Sequence, residues 1–250
     1  MHKQILALMA SAAILAGPAA AGDKGGNWSG LYAGFHLGAT EMSADTSRTI
    51  DANTYWLAIN QAQVEAVSAI DFEEQGFVGG FQIGYNHMWD WVLIGAEADL
   101  SYNSIDVSSA QIVPYASDPT IGFQTVTQVD QDWLGTLRLR LGFDLQGALL
   151  YATGGLAIGS VEFTQGFSDT NFVAFSALTE DEIRTGWTAG GGVEIGAFAG
   201  TTFRVEYLHT DLGTAKLTGQ PLTGIPGTFQ TGKADITHDT IRMGMNWNLN

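Results

Sequence analysis

From residue 29 onward the chain repeats one pattern, apolar side chains at every second position over stretches of roughly 9–11 residues. Period two is the signature of a strand, whose side chains alternate between two faces. Residues 29–40 set Leu31, Ala33, Phe35 and Leu37 on one face, and residues 76–88 align Phe77, Phe81, Ile83 and Tyr85. Residues 91–102 align Val92, Ile94, Ala96, Ala98 and Leu100, and residues 132–143 align Trp133, Leu137, Leu139, Leu141 and Phe143. Residues 148–161 align Leu150, Ala152, Leu156 and Ile158; residues 185–198 align Trp187, Ala189, Val193 and Ile195. Residues 201–211 align Phe203, Val205 and Tyr207, and residues 237–250 align Ile241, Met243, Met245, Trp247 and Leu249. The pattern predicts eight strands.

The connections alternate in length. Trp89-Asp90, residues 144–147 and Ala199-Gly200 read as tight turns. Residues 41–75, 103–131, 162–184 and 212–236 read as long loops rich in Ser, Thr, Asp and Gln. A tilted strand of this length crosses a bilayer, and outer-membrane barrels pair short periplasmic turns with long extracellular loops. The expected fold is therefore all-β, an eight-stranded antiparallel transmembrane β-barrel with both ends in the periplasm.

The second face of these strands carries Glu97, Asp99, Glu194 and Glu206 against Arg138, Arg140, Arg204 and Arg242. In a secreted soluble sandwich that face would meet water. Two features favour the inverted arrangement, with charges inside and apolar residues toward lipid. The set balances, four acidic against four basic, although the whole chain carries a formal charge of −16. A confined interior needs that balance, because an unpaired buried charge is costly. Four of the six arginines also stand on strands, and guanidinium suits buried bidentate pairing with carboxylates. Trp28, Trp89, Trp91, Trp133, Trp187, Tyr207 and Trp247 lie at or near segment ends, where interfacial girdles sit, although aromatics are common in strands generally.

Residues 1–21 read as an export signal: Lys3 precedes an apolar run from Ile5 to Leu15, and Ala19-Ala20-Ala21 fits a cleavage site. That run is shorter than the ~20 residues a spanning helix needs, and no later segment offers ~18 consecutive apolar residues. Cleavage leaves residues 22–250 as one barrel domain and, by removing Lys3, takes the formal charge from −16 to −17. Such acidity excludes a nucleic-acid partner, which calls for clustered Lys and Arg. The absence of Cys excludes disulfides, thiolate metal sites and Cys nucleophiles.

Six stretches carry a resemblance. They are residues 28–34 (WSGLYAG), 79–86 (GGFQIGYN), 133–142 (WLGTLRLRLG), 150–157 (LYATGGLA), 186–194 (GWTAGGGVE) and 204–213 (RVEYLHTDLG). Together and in this order, the chain resembles the small outer-membrane β-barrel surface-antigen family of Gram-negative bacteria, often labelled "porin family" and related to opacity-type proteins. The resemblance implies an eight-stranded barrel with a structural or surface-interaction role. Members commonly end in Phe, which the assembly machinery reads; this chain ends Trp247-Asn248-Leu249-Asn250, and His209 stands where an aromatic is more usual.

Few motifs point to chemistry. His209 and Asp211 close the seventh strand and His238 and Asp239 open the eighth, so the four meet at the extracellular rim, but alternation turns His238 to the opposite face. His36 and His87 have no nucleophile set by spacing. Gly190-Gly191-Gly192 lies inside a strand with no following helix, so close strand approach replaces a phosphate loop. No catalytic, cofactor or metal site is expected. The loops are acidic: residues 41–75 hold seven carboxylates and Arg48, and residues 162–184 hold five and Arg184. They form a solvated surface or bridge to lipopolysaccharide phosphates through divalent cations. An eight-stranded barrel is just wide enough for its interior side chains, so four arginines, four carboxylates and Tyr151 should fill it. The expected role is structural and surface-interacting, contributing to envelope integrity and displaying loops without an open pore. A narrow diffusion channel and a loop-mediated adhesin or ligand binder are the alternatives. The expected partners are outer-membrane lipids, lipopolysaccharide and the outer-membrane assembly machinery; the sequence names no host-surface or peptidoglycan contact.

Overall fold

A computed structural model of the protein describes residues 28–170, 174–197, 200–223 and 225–249. Eight strands follow chain order: β1 (Gly30–Ala52), β2 (Ile70–Trp89), β3 (Val92–Pro114), β4 (Gly122–Asp144), β5 (Ala148–Asp169), β6 (Phe175–Gly196), β7 (Thr201–Pro221) and β8 (Phe229–Asn248). One helix, α1 (Ala58–Val67), lies between β1 and β2. Each strand pairs antiparallel with its neighbours, and β8 returns to β1 in the register Ala33↔Trp247 to close the ring. The export-signal expectation, residues 1–21, and Ala199 of the third turn lie outside the described residues.

In the periplasmic half the apolar rows face outward. Phe77 is 82% exposed, Phe81 76% and Leu139 71%. A belt of this kind around a whole molecule is stable against lipid, not against water.

The strands are 20–23 residues long. At about 3.3 Å per residue and a tilt near 40° they climb roughly 50–60 Å, about twice the ~25 Å apolar band. The segments read as long loops are thus mostly strand, and the connections between named strands shrink to residues 53–69, 115–121, 170–174 and 222–228. β8 shows why. Its outward row Ile241, Met243, Met245 and Trp247 is apolar and its inward Arg242 and Asn246 are polar; further up, outward Thr231, Lys233, Asp235 and Thr237 are polar and inward Ala234 and Ile236 apolar. The alternation does not stop. It reverses sense where the surroundings change from lipid to water.

The upper half is also not a closed ring. Pairing of β2 with β3 ends at Val78↔Asn103, and pairing of β6 with β7 ends at Trp187↔Asp211. Above these points two four-stranded sheets face each other, β2-β1-β8-β7 and β3-β4-β5-β6. The bridge Phe175↔Thr223 joins one seam at its top. At the other, Gln63 of α1 donates to the Pro114 carbonyl at 2.9 Å and accepts the Ala116 N–H at 2.8 Å. Met42, Phe72, Ile105, Val129, Phe163, Leu217 and Ile236 pack between the sheets. Trp56, Val64, Tyr115, Phe123 and Phe167 form a second cluster under α1, with the Trp56 ring edge-on to Phe167 at 5.1 Å. β4 near residues 131–134 and β7 at Gly213, in the left-handed region at φ 69°, each carry an extra residue that shifts the inward row by one.

Candidate functional site in the barrel interior

Alternation sends one residue in two of every strand into the bore, and in the periplasmic half those residues are charged. β3 supplies Glu97 and Asp99, β4 Arg138 and Arg140, β6 Glu194, β7 Arg204 and Glu206, and β8 Arg242. All eight are buried. Glu97 is the hub. Its Oε1 accepts Arg138 Nη2 at 2.5 Å and its Oε2 accepts Arg204 Nη1 at 2.5 Å and the Tyr32 hydroxyl at 2.6 Å. Arg140 and Arg242 stand 3.6 and 3.7 Å away. Asp99 accepts Arg138 Nη2 at 2.7 Å, Arg242 Nη1 at 3.2 Å and the Thr136 hydroxyl at 2.5 Å. Glu206 accepts Arg242 Nε at 2.7 Å, Arg138 Nη1 at 3.2 Å and the Tyr151 hydroxyl at 2.9 Å. Glu194 sits nearer the periplasmic mouth, where it accepts Arg140 Nη2 at 2.7 Å and Asn246 Nδ2 at 2.9 Å.

Several members were not singled out from sequence. The Tyr32 hydroxyl accepts Arg140 Nη1 at 2.7 Å, and that guanidinium lies 4.1 Å over the Tyr151 ring. His36 joins Gln82 at 2.6 Å and Ser101 at 2.9 Å. The signal was available, since the alternation that turns Leu31 and Phe35 outward turns Tyr32 and His36 inward. His36 beside Ser101 is a pairing that spacing does not reveal, and both are buried within the bore, with His36 beside Arg242. Gly190-Gly191-Gly192 runs within β6; a Cβ on Gly192 would stand 2.8 Å from the Tyr151 hydroxyl. Close approach by a large interior ring requires that glycine.

At the rim, His209 Nδ1 lies 2.9 Å from Asp239 Oδ1, which also accepts the Tyr207 hydroxyl at 2.5 Å, and the His209 ring packs against Trp187. Asp211 instead accepts the Gly213 N–H at 2.7 Å, and His238 is buried inside. Among the described residues, no group of three or more His and carboxylates has the geometry to hold a metal ion. Two residues counted with the acidic loops, Arg48 and Asp169, point inward and are buried. On the outer face, register places Asp106, Asp130, Glu162 and Asp181 side by side across four strands. Burial, then a hydrogen bond with Asp106 and its charge, push Asp130 up to about 6.

The pattern of the outer membrane protein beta-barrel domain family matches residues 6–248. The chain is 34% identical over 183 residues to the 31 kDa outer-membrane immunogenic protein of Brucella melitensis, covering 72% of this chain and 69% of that one. It is 33% identical over 141 residues to the 22 kDa outer membrane protein of Rhizobium leguminosarum, covering 56% and 55%. Among solved structures, Neisserial surface protein A is similar at 12% identity with a TM-score of 0.38, covering 86% of this chain and 97% of that one. A belt of lipid-facing residues around a closed antiparallel ring and a family match over nearly the whole chain lead to one conclusion: the protein belongs to the outer membrane protein β-barrel family and resides in the outer membrane as an integral surface protein.

Proposed function

We propose that this protein is a sealed surface barrel that strengthens the outer membrane and presents its upper half to the outside, without conducting solutes and without enzymatic activity. The observation that carries this reading is the bore itself. Arg138, Arg140, Arg204 and Arg242, fully buried, interlock with four carboxylates, Tyr32 and Tyr151 across a ring of eight strands, a size that leaves room for little else. In the same reading residues 1–21 direct export and are removed, and the assembly machinery inserts the remaining barrel. Lipopolysaccharide surrounds it, and divalent cations bridge lipid phosphates to the row Asp106, Asp130, Glu162 and Asp181. A deletion strain tests the proposal. It should become sensitive to detergent while uptake of small hydrophilic antibiotics stays unchanged; a drop in that uptake would instead mark a diffusion channel.

A second reading, a surface binder, is favoured by the two-sheet upper half, which rises roughly 25–30 Å beyond the lipid-facing belt. Without bridging divalent cations its acidic outer face selects against polyanionic partners. Binding of the purified protein to host-cell surfaces, lost when residues 53–69 are replaced by a short linker, would support it.

A further inference from the structure

The upper half contains a polar layer between two apolar ones. Along β1, Ala44 belongs to the lower apolar cluster and Ile50 to the upper, with Thr46 and Arg48 between. Along β4, Val129 and Phe123 bracket Thr127 and Thr125; along β5, Phe163 and Phe167 bracket Gln165. Arg48 is 3% exposed. Its Nη1 donates to Gln230 Oε1 at 2.6 Å and its Nη2 to the Gly166 carbonyl at 2.9 Å, both neutral acceptors. Its Nε has no partner.

Each of the four arginines lower down touches at least one carboxylate, but among the described residues none pairs with Arg48. An inward carboxylate of this half, Asp169, instead accepts the Tyr55 and Tyr115 hydroxyls at 2.9 and 2.8 Å. Burial alone pulls the Arg48 guanidinium down to about 10. Arg48 reaches Gly166, whose register partner Val126 lies between Thr125 and Thr127; the hydroxyls of these two, each 1% exposed, and the Gln165 Oε1 are also unpartnered. Thr127 is the register partner of Gln165, whose side chain crosses to the Ser47 carbonyl and to the space a Cβ on Gly232, opposite Arg48, would fill.

Buried charges are paired, and one left uncompensated costs several kcal/mol. A water molecule can satisfy the Nε proton and a hydroxyl, but it cannot balance the charge. We propose that this layer is a binding site for a small monovalent anion of halide size, held by Arg48 Nε together with the hydroxyls of Thr125 and Thr127. A single atom suits a layer already crossed by Gln165 and Gln230, and the acidic exterior disfavours multiply charged anions.

The test uses the full barrel refolded in detergent in sodium gluconate, then transferred to gluconate, chloride or bromide at equal ionic strength, with thermal unfolding followed by circular dichroism. The site predicts a Tm that rises with halide concentration and saturates, as linkage to folding requires, and a flat response in Arg48→Gln. Should Arg48→Gln fail to fold, Thr127→Val carries the same comparison. It removes one hydrogen bond to a charged ligand and should raise the half-saturating halide concentration about tenfold or more. Crystals grown in bromide should show an anomalous peak within hydrogen-bonding distance of Arg48 Nε. Equal Tm in gluconate and halide, a halide response that survives Arg48→Gln, an unshifted response in Thr127→Val, or water alone beside Arg48 would overturn the proposal.

Discussion

Replacing Glu97 with Gln keeps the side chain's size and removes one negative charge from the centre of the bore. Two contacts at 2.5 Å, to Arg138 and Arg204, lose their charge, and Arg140 and Arg242 lose a partner within 4 Å. The side chains of Glu97, Arg138, Arg140 and Arg204 are fully buried, so solvent screening offers no relief. Four guanidinium groups then face three carboxylates, and an uncompensated buried charge costs about 3–5 kcal/mol. With a urea slope of about 2 kcal/mol/M the midpoint should fall by roughly 2 M. The assay is reversible urea unfolding of the refolded barrel in lipid vesicles, read by tryptophan fluorescence. The discriminating variant is Glu97→Gln combined with Arg204→Met. Arg204 leans mainly on Glu97, since its Nη2 stands 3.9 Å from Glu206 and neither Nε nor Nη2 makes a hydrogen bond. Removing both restores charge balance at three against three, so the double variant should be more stable than Glu97→Gln alone. If the two losses simply add, or if Glu97→Gln costs under about 1 kcal/mol, in the range of an exposed pair, the interior network is not what holds this half together.

Trp56→Ala should loosen the upper half alone. It empties a site packed on Phe167 beneath α1 and costs about 3–5 kcal/mol, so added protease should cut within residues 53–69 while heat-modifiable gel mobility persists; unchanged resistance would contradict the packing role of α1. Asp130→Asn should stabilise by about 0.5–1 kcal/mol at pH 7.5, the cost of like charges paired across strands, and by nothing at pH 4. The sign follows from linkage: a carboxyl raised to about 6 favours the fold while protonated, and that contribution is lost as pH rises through 6, which paired thermal melts at the two pH values would show. Burial first, then the hydrogen bonds to Asp169, raise the Tyr55 and Tyr115 phenols. Their contribution holds below the ordinary phenol value near 10 and is lost above it, so the late phase of the 295 nm titration should lose two tyrosines' amplitude in Tyr55→Phe/Tyr115→Phe.

How much of this was readable in the sequence differs between the halves. Below the rim, outward Leu, Phe and Trp against inward Arg and Glu give high-contrast alternation, and eight segments and their balanced charges follow from it. Tyr32, His36 and Gln82 occupy the same inward parity but are neutral, so charge counting passed over them. Above the rim the alternation persists with the opposite sense and weaker contrast. Ala234 and Ile236 point inward while Ile241 and Met243 point outward, and a reader following one apolar parity sees the strand end there. Thr and Ser on the outer rows then look like loop composition. The extra residues near 131–134 and at Gly213 shift parity once more in β4 and β7. Arg48 reads as a solvated loop charge for the same reason. Its inward orientation follows from continuing the β1 row Tyr32, His36, Thr40, Ala44 by four residues, a step that makes sense only once the strand is known to continue. The barrel describes the lower half, where the charges are inside, and the upper half packs as two facing sheets around its own apolar cluster.

Single-channel recording in planar bilayers tests the sealed bore most directly. With the four arginines and four carboxylates interlocked as described, the wild-type protein should insert without stable openings, whereas removing bulk from the network, as in Arg138→Ala with Glu206→Ala, should produce small resolvable currents. Large, long-lived openings in the wild-type protein would contradict a bore closed by its own side chains.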